Sequence, residues 1–327
     1  MEGGLATDRH GLIRFEAVAS AGRLGELRSG TAAGRIRRIR HGVYELEDAP
    51  TAAPSTRERE ALRYRRLVLA AAGSLRAPVF TAWSAIALFR LPVIGGWPGD
   101  VYVMSAGAHG KRRPGVVSVA RRSPDVPTTV VEGVGATSVE FSLIQLCRVA
   151  PLADALAAVD AALRVDPFGR TRPLTTVGAL RAEHERLLPY HGSRRAEAVL
   201  SRAVDSSDSV LETASRLVIE ELGFAEPVLQ HPIRLPEPGR TARLDFYWPE
   251  VDAGAEADGR GKYLSGGGED VARRVLDEKD RENAIRRRIR AFDRWDWTDV
   301  RRRTPLADRL RAMGVPVTRR PRPGLLL

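Results

Sequence analysis

Arg243–Lys262 reads RLDFYWPEVDAGAEADGRGK. Its first six residues alternate as a strand does: Leu244, Phe246 and Trp248 share one face, Asp245 and Tyr247 the other. Pro249 ends that strand. Ala253–Asp258 reads as the next one, with Glu256 and Asp258 on one face and Ala257 on the other. If the two strands are neighbours, Asp245 and Glu256 converge. A carboxylate inside an apolar strand is costly unless it is partnered, so Asp245 is the residue here most strongly expected to serve a function. Two or three such carboxylates suit a hard divalent cation such as Mg²⁺, which binds carboxylate, water and phosphate oxygens. The cation can activate water and neutralise charge on a phosphodiester. Asp258-Gly259 is also a good turn dipeptide. The second strand, VDAGAEADG, is built from Ala and Gly where a buried central strand is usually rich in Val and Ile, and Gly254 is expected to weaken it further.

Working outward, Ser209-Val210-Leu211-Glu212 is a capping-box sequence that opens a helix running to Leu222, with Gly223 as its stop. Glu212 is therefore either a cap or a site residue. A strand, Val228–Leu235, precedes the quoted stretch. Beyond it, Gly266–Gly268 leads into a charged helix, Glu269–Phe292, then a short strand, Arg294–Trp297, and a helix, Pro305–Met313. Residues 206–327 thus read α-β-β-β-α-β-α. Lys279, Asp280, Arg281 and Asn283 lie on the charged helix with opposite charges three and four apart, which suits a solvated face as well as a site. Lys262 suits either a site or a solvated loop.

Residues 1–48 read as two helices, Phe15–Ala21 and Leu24–Ala33, followed by a hairpin of Arg35–Ile39 and Val43–Leu46. That order is expected of a winged helix-turn-helix, with Arg35, Arg37, Arg38 and Arg40 directed at DNA phosphates from the wing. The same arginines would also protect an edge hairpin from aggregation. After the linker APTAAPS come a helix over Thr56–Ala72, an apolar segment Pro78–Leu91, strands near Val101–Ser105 and Val116–Ala120 with a basic loop, Lys111-Arg112-Arg113, between them, and helices over Val139–Val149 and Leu152–Leu163. Residues 56–165 read as an α/β middle domain, and 166–205 as a helical connector. Trp83 and Trp97 read as packing residues rather than ligand stackers. The fold class is multi-domain α/β.

The 327 residues carry a net charge of +11, mostly from arginine, which favours a polyanionic partner such as DNA unless it reflects an arginine-rich composition at large. With one cysteine, Cys147, a disulfide framework and a cysteine-based zinc site are both excluded. No apolar segment is long enough for a bilayer span, and the N-terminus lacks the apolar core of a secretory signal. The expected location is cytoplasmic.

Residues 207–313 resemble very-short-patch-repair-like (Vsr-like) endonuclease domains of the PD-(D/E)XK superfamily, through SVLETASRLVIEELGF, RLDFYWPE, AEADGRGKY, EKDRENAI and RWDWTDV. The resemblance implies Mg²⁺-dependent hydrolysis of DNA, with Glu212, Asp245 and Glu256 at the acidic metal-site positions. Asp258 stands where the superfamily's general pattern has lysine. Lys262 and Lys279 are then the candidate catalytic cations, and Arg281 a phosphate clamp. The metal set is Glu212, Asp245, Glu256 and Asp258. HGLIRFEAVASAG, RIRRIRHGVY and FTAWSAIALFRLPV resemble AbiEi-like antitoxins of type IV toxin–antitoxin systems, which implies operator DNA binding, a role in phage defence and a possible toxin partner. Two functions follow: a DNA-binding, metal-dependent endonuclease, or a non-catalytic transcriptional regulator that keeps the nuclease-like fold as a scaffold.

Overall fold

RLDFYW lies inside an eight-residue strand, Thr241–Trp248, near the middle of a four-stranded sheet. The computed structural model describes residues 4–47, 55–120, 125–166, 169–236, 240–258 and 268–326, with backbone only over 268–276. The chain divides into two compact units: Met1–Leu91 with Gly96–Val149, and Pro92–Gly95 with Ala150–Leu327. The sequence boundaries at 48 and 165 therefore do not separate the units. The N-terminal region and most of the middle region fold together, and Leu152–Leu163 belongs to the second unit.

The first unit begins with a strand the sequence did not announce, β1 (Leu12–Arg14), followed by α1 (Phe15–Ser20), α2 (Leu24–Ala32), β2 (Ile36–Arg40) and β3 (Val43–Leu46). The three strands form a sheet in the order β1-β3-β2, over a small core of Leu5, Ile13, Val18, Leu27 and Ile36. Gly30 on α2 allows close approach, since a Cβ there would meet Ile36 Cδ1 at 2.5 Å. Then come α3 (Thr56–Ala72), with a complete Ser55/Glu58 capping box, and the buried helix α4 (Ala82–Leu88). Next are β4 (Val101–Met104), β5 (Lys111–Arg113), β6 (Val116–Val119), β7 (Thr128–Val131), β8 (Val134–Thr137) and α5 (Val139–Val149). The expected basic loop is the strand β5, antiparallel to β6, with all three side chains exposed. The β7–β8 hairpin turns at Glu132-Gly133, both at positive φ, as a two-residue hairpin loop requires. Trp83 is buried at 5% exposure, whereas Trp97 is half-buried.

The second unit holds α6 (Leu152–Leu163), α7 (Val177–Leu187), α8 (Ser193–Leu200) and α9 (Val210–Leu222). Asp154 on α6 tethers the Pro92–Gly95 segment by accepting hydrogen bonds from the amides of Ile94 (2.9 Å) and Gly95 (2.5 Å). Then follow β9 (Val228–Arg234), β10 (Thr241–Trp248), a 3₁₀ turn at Pro249–Val251, β11 (Ala253–Ala257), α10 (Gly268–Arg286), β12 (Ala291–Trp295), α11 (Trp297–Arg302) and α12 (Thr304–Ala312). The sheet order is β12-β11-β10-β9: β9, β10 and β11 run antiparallel in succession, and β12 returns parallel to β11 after α10.

Ala242, Leu244, Phe246 and Trp248 are buried, alternating with half-buried Arg243, Asp245 and Tyr247. The rings of Phe246 and Trp295 meet at 5.1 Å. Trp295 Nε1 donates to Ser215 Oγ on α9 (2.8 Å), and Trp248 Nε1 to the Ala225 carbonyl (2.8 Å), so each buried indole has a polar partner. Gly254 in β11 is a packing requirement rather than a weakness. A Cβ on Gly254 would lie 2.5 Å from Leu244 Cδ1 and 2.8 Å from Ile289 Cδ1. Every residue of the strand is buried.

Candidate functional site

The strand registers line up one polar residue from each strand. Leu244↔His231 and Phe246↔Leu229 bring Gln230 of β9 opposite Asp245 of β10. Phe246↔Ala255 brings Glu256 of β11 opposite Asp245 on the other side. Glu256 pairs directly with Arg294 of β12. A row Gln230–Asp245–Glu256–Arg294 therefore crosses the whole sheet, and two helices add to it: Glu212 from α9 at one end, Arg281 and Glu278 from α10 at the other.

At the first end, Gln230 Nε2 donates to Glu212 Oε2 (2.8 Å) and to Asp245 Oδ1 (3.3 Å). The other Asp245 oxygen accepts from the amide of Ala257 at 2.9 Å. Gln230 holds a backbone φ of +51°, sparsely populated by non-glycine residues, in the middle of a strand. Glu212 completes only half of the expected capping box: its amide donates to Ser209 Oγ (3.2 Å), but its carboxylate turns to the Asp208 amide (2.9 Å) and to Gln230. The side chain is thus committed to the row as well as to the helix start, and it is 6% exposed.

At the other end Glu256, 5% exposed, is held by two guanidinium groups: Arg281 at 2.6 Å from Oε1 and Arg294 at 2.8 Å from Oε2. Arg281 also pairs with Glu278 (3.0 Å), and Arg294 with Glu278 and with Asp258 (3.3 Å). A carboxylate buried to this degree is tolerable because it is paired and hydrogen-bonded.

The two ends differ electrostatically. Among the described residues no cation pairs with Glu212 or Asp245. Burial, then the Glu212 charge and, more weakly, that of Glu256 push the Asp245 carboxyl up to about 7, against the hydrogen bonds from Ala257 and Gln230. Glu212 is also raised, by burial first and by the neighbouring Asp208.

Asp245, Glu256 and Glu212, singled out in the sequence, are thus joined in one row, and Asp258 sits at its edge through Arg294. The four do not form a single ligand cluster: among the described residues no group of three or more His, Cys, Asp or Glu is arranged to hold a metal ion. Glu212 and Asp245 fit as hard oxygen donors, whereas both Glu256 oxygens are taken by arginine. Arg281 clamps a carboxylate. Lys279 is exposed on α10 and is not part of the row. Lys262 lies outside the described residues. Sequence reasoning missed Gln230 and Arg294. The available signals were a polar residue inside the apolar alternation of VLQHPIR and an arginine inside AFDRW.

The hairpin arginines divide. Arg37 is the register partner of Glu45 and pairs with it and with Glu47 (3.3 Å). Glu45, 3% exposed, also takes Arg66 at 3.1 Å. Arg37 is therefore engaged in holding the hairpin rather than offered outward. Arg40 reaches the Gly115 carbonyl at 3.5 Å, and Arg35 and Arg38 are exposed.

No family model matches the chain, and no solved structure matches it. The chain is similar to uncharacterized protein MT2308 of Mycobacterium tuberculosis (strain CDC 1551 / Oshkosh) and to uncharacterized protein Rv2248 of Mycobacterium tuberculosis (strain ATCC 25618 / H37Rv). Each is 31% identical over 130 residues, 38% of this chain and 44% of the relative. The match thus spans less than half of either relative's length.

Proposed function

We propose that residues 206–327 act as a divalent-cation-dependent, Vsr-like endonuclease module of the PD-(D/E)XK type, on a protein that binds DNA through its N-terminal winged helix. The observation that carries this reading is the polar row: buried Glu212 and half-buried Asp245 share one amide and pair with no cation among the described residues, beside a third carboxylate that is already neutralised. Mg²⁺ would be held by Glu212 and Asp245, and when bound it supplies a water of lowered pKa and positive charge for a phosphodiester. Gln230 orients the two carboxylates. Without the cation the Asp245 carboxyl is pushed up to about 7, so binding the cation releases its proton. Arg281 and Arg294 fix Glu256 against β12. No helix among the described residues is long and apolar enough to cross a membrane, which is compatible with a cytoplasmic protein that meets DNA in phage defence.

The test is nicking of supercoiled plasmid with Mg²⁺ or Mn²⁺. Wild type converts it to open circles, while Asp245→Ala and Glu212→Gln do not. Protein that retards DNA yet never nicks it, with either metal, ends this reading. A second reading, a non-catalytic AbiEi-like regulator paired with a toxin, is favoured by the arginine saturation of Glu256. It predicts binding to its own promoter that is lost when Arg35, Arg38 and Arg40 are neutralised and untouched by Asp245→Ala.

A further inference from the structure

Trp97 lines a groove of about 370 Å³ on the first unit, together with Arg37, Arg38, Glu60, Arg63 and Pro98. The indole is held on a rigid base. Its ring stacks on Tyr64 with centroids 4.9 Å apart and 22° between planes, and meets Trp83 edge-on at 5.9 Å. Tyr64 is in turn fixed, its hydroxyl lying 3.0 Å from Ser84 Oγ and 2.9 Å from the Asp100 carbonyl. Despite this packing Trp97 remains half-buried, with surface left for a ligand. Three arginines and one carboxylate, Glu60, line the groove. Arg37 is immobilised by Glu45 and Glu47 and forms a wall. Arg38 is exposed, and the Arg63 side chain is 57% exposed with a loose 3.6 Å contact to Glu47.

A fixed aromatic ring beside exposed guanidinium groups is the chemistry that takes an unstacked base and its phosphates. The volume falls within the range of about 300–1,000 Å³ usual for ligand sites. We propose that this groove binds a nucleotide of single-stranded DNA, the base against the Trp97 indole and the flanking phosphates at Arg38 and Arg63. Stacking on the ring takes an unstacked base, so the site favours single-stranded or frayed ends. The inference does not rest on the nuclease reading, because every residue it uses lies in the first unit.

The test is titration of the full chain into fluorescein-labelled oligothymidylate, followed by anisotropy. Wild type binds the single strand more tightly than the matching duplex. Trp97→Leu weakens single-strand binding about tenfold, on the scale of lost base stacking, while Trp97→Phe retains most of it. Arg63→Gln weakens binding and flattens its salt dependence. Should Trp97→Leu fail to fold by circular dichroism, Trp97→Phe and Arg63→Gln decide. Single-strand affinity unchanged in Trp97→Leu, or an Arg63→Gln salt slope equal to wild type, overturns the proposal. So does equal affinity of wild type for single strand and duplex. None of these outcomes bears on plasmid nicking, which tests the other unit.

Discussion

Glu256 and Arg294 are register partners on two parallel strands, and the Arg294 guanidinium lies 2.8 Å from the Glu256 carboxylate. With Arg281 on the opposite oxygen, the pair closes one end of the polar row, while Glu212 and Asp245 at the other end pair with no cation among the described residues. Stability and proposed chemistry therefore divide between neighbouring residues of one sheet.

Removing Arg294 strands a buried carboxylate with half its compensation. Arg294→Ala is expected to cost about 3 kcal/mol, the scale for breaking one side of a buried ion pair. Urea unfolding checks it, and a loss within the range of an ordinary surface substitution would show that Arg281 alone suffices.

Asp245 makes stability fall as pH rises. Its folded-state pKa of about 7 lies above the unfolded value near 4, so between these two the native state keeps a proton that the unfolded chain has released. Asp245→Asn removes this liability. Its gain over wild type grows from almost nothing near pH 4 to a plateau above about pH 7, of at most about 4 kcal/mol. Urea midpoints of both proteins across that window decide, and a pH-independent difference counts against the assignment.

If Glu212 and Asp245 hold a cation, its binding at neutral pH must displace the proton on Asp245. Titration calorimetry of Mg²⁺ or Mn²⁺ in two buffers of different ionisation enthalpy is expected to show proton release in wild type and none in Asp245→Asn.

Gly254 is required by its neighbours. Gly254→Val drives a side chain into Leu244 and Ile289 and is expected to cost about 1–3 kcal/mol, as overpacking does. The melting temperature reads this directly, and an unchanged value would mean that β11 has room to shift.

RLDFYW was legible because an apolar alternation closed by proline has few other readings, and the helix over Thr56–Ala72 because its cap is written in Ser55 and Glu58. AGAEA was legible as a strand but misleading in quality, since Gly254 answers to Leu244 and Ile289 on other elements. β1 and β5 were not legible: three residues carry no periodicity, and their pairing is decided by partners elsewhere. Asp245 and Glu256 stood out as costly carboxylates. Which arginine meets which carboxylate cannot be read in a chain so rich in both: Arg37, expected at phosphates, pairs with Glu45 on the second strand of its own hairpin. Gln230 carries no charge and advertises nothing, and only the sheet register reveals its place between two acids.

The parallel pairing of β11 with β12 also sets an order of events during synthesis. Glu256 emerges from the ribosome well before Arg294, with all of α10 between them. Until the later strand arrives, β11 lacks its parallel partner and Glu256 lacks one of its two arginines. Completion of the sheet therefore waits on the last strand, and a nascent chain arrested before Ala291 would carry Glu256 with Arg281 but without Arg294.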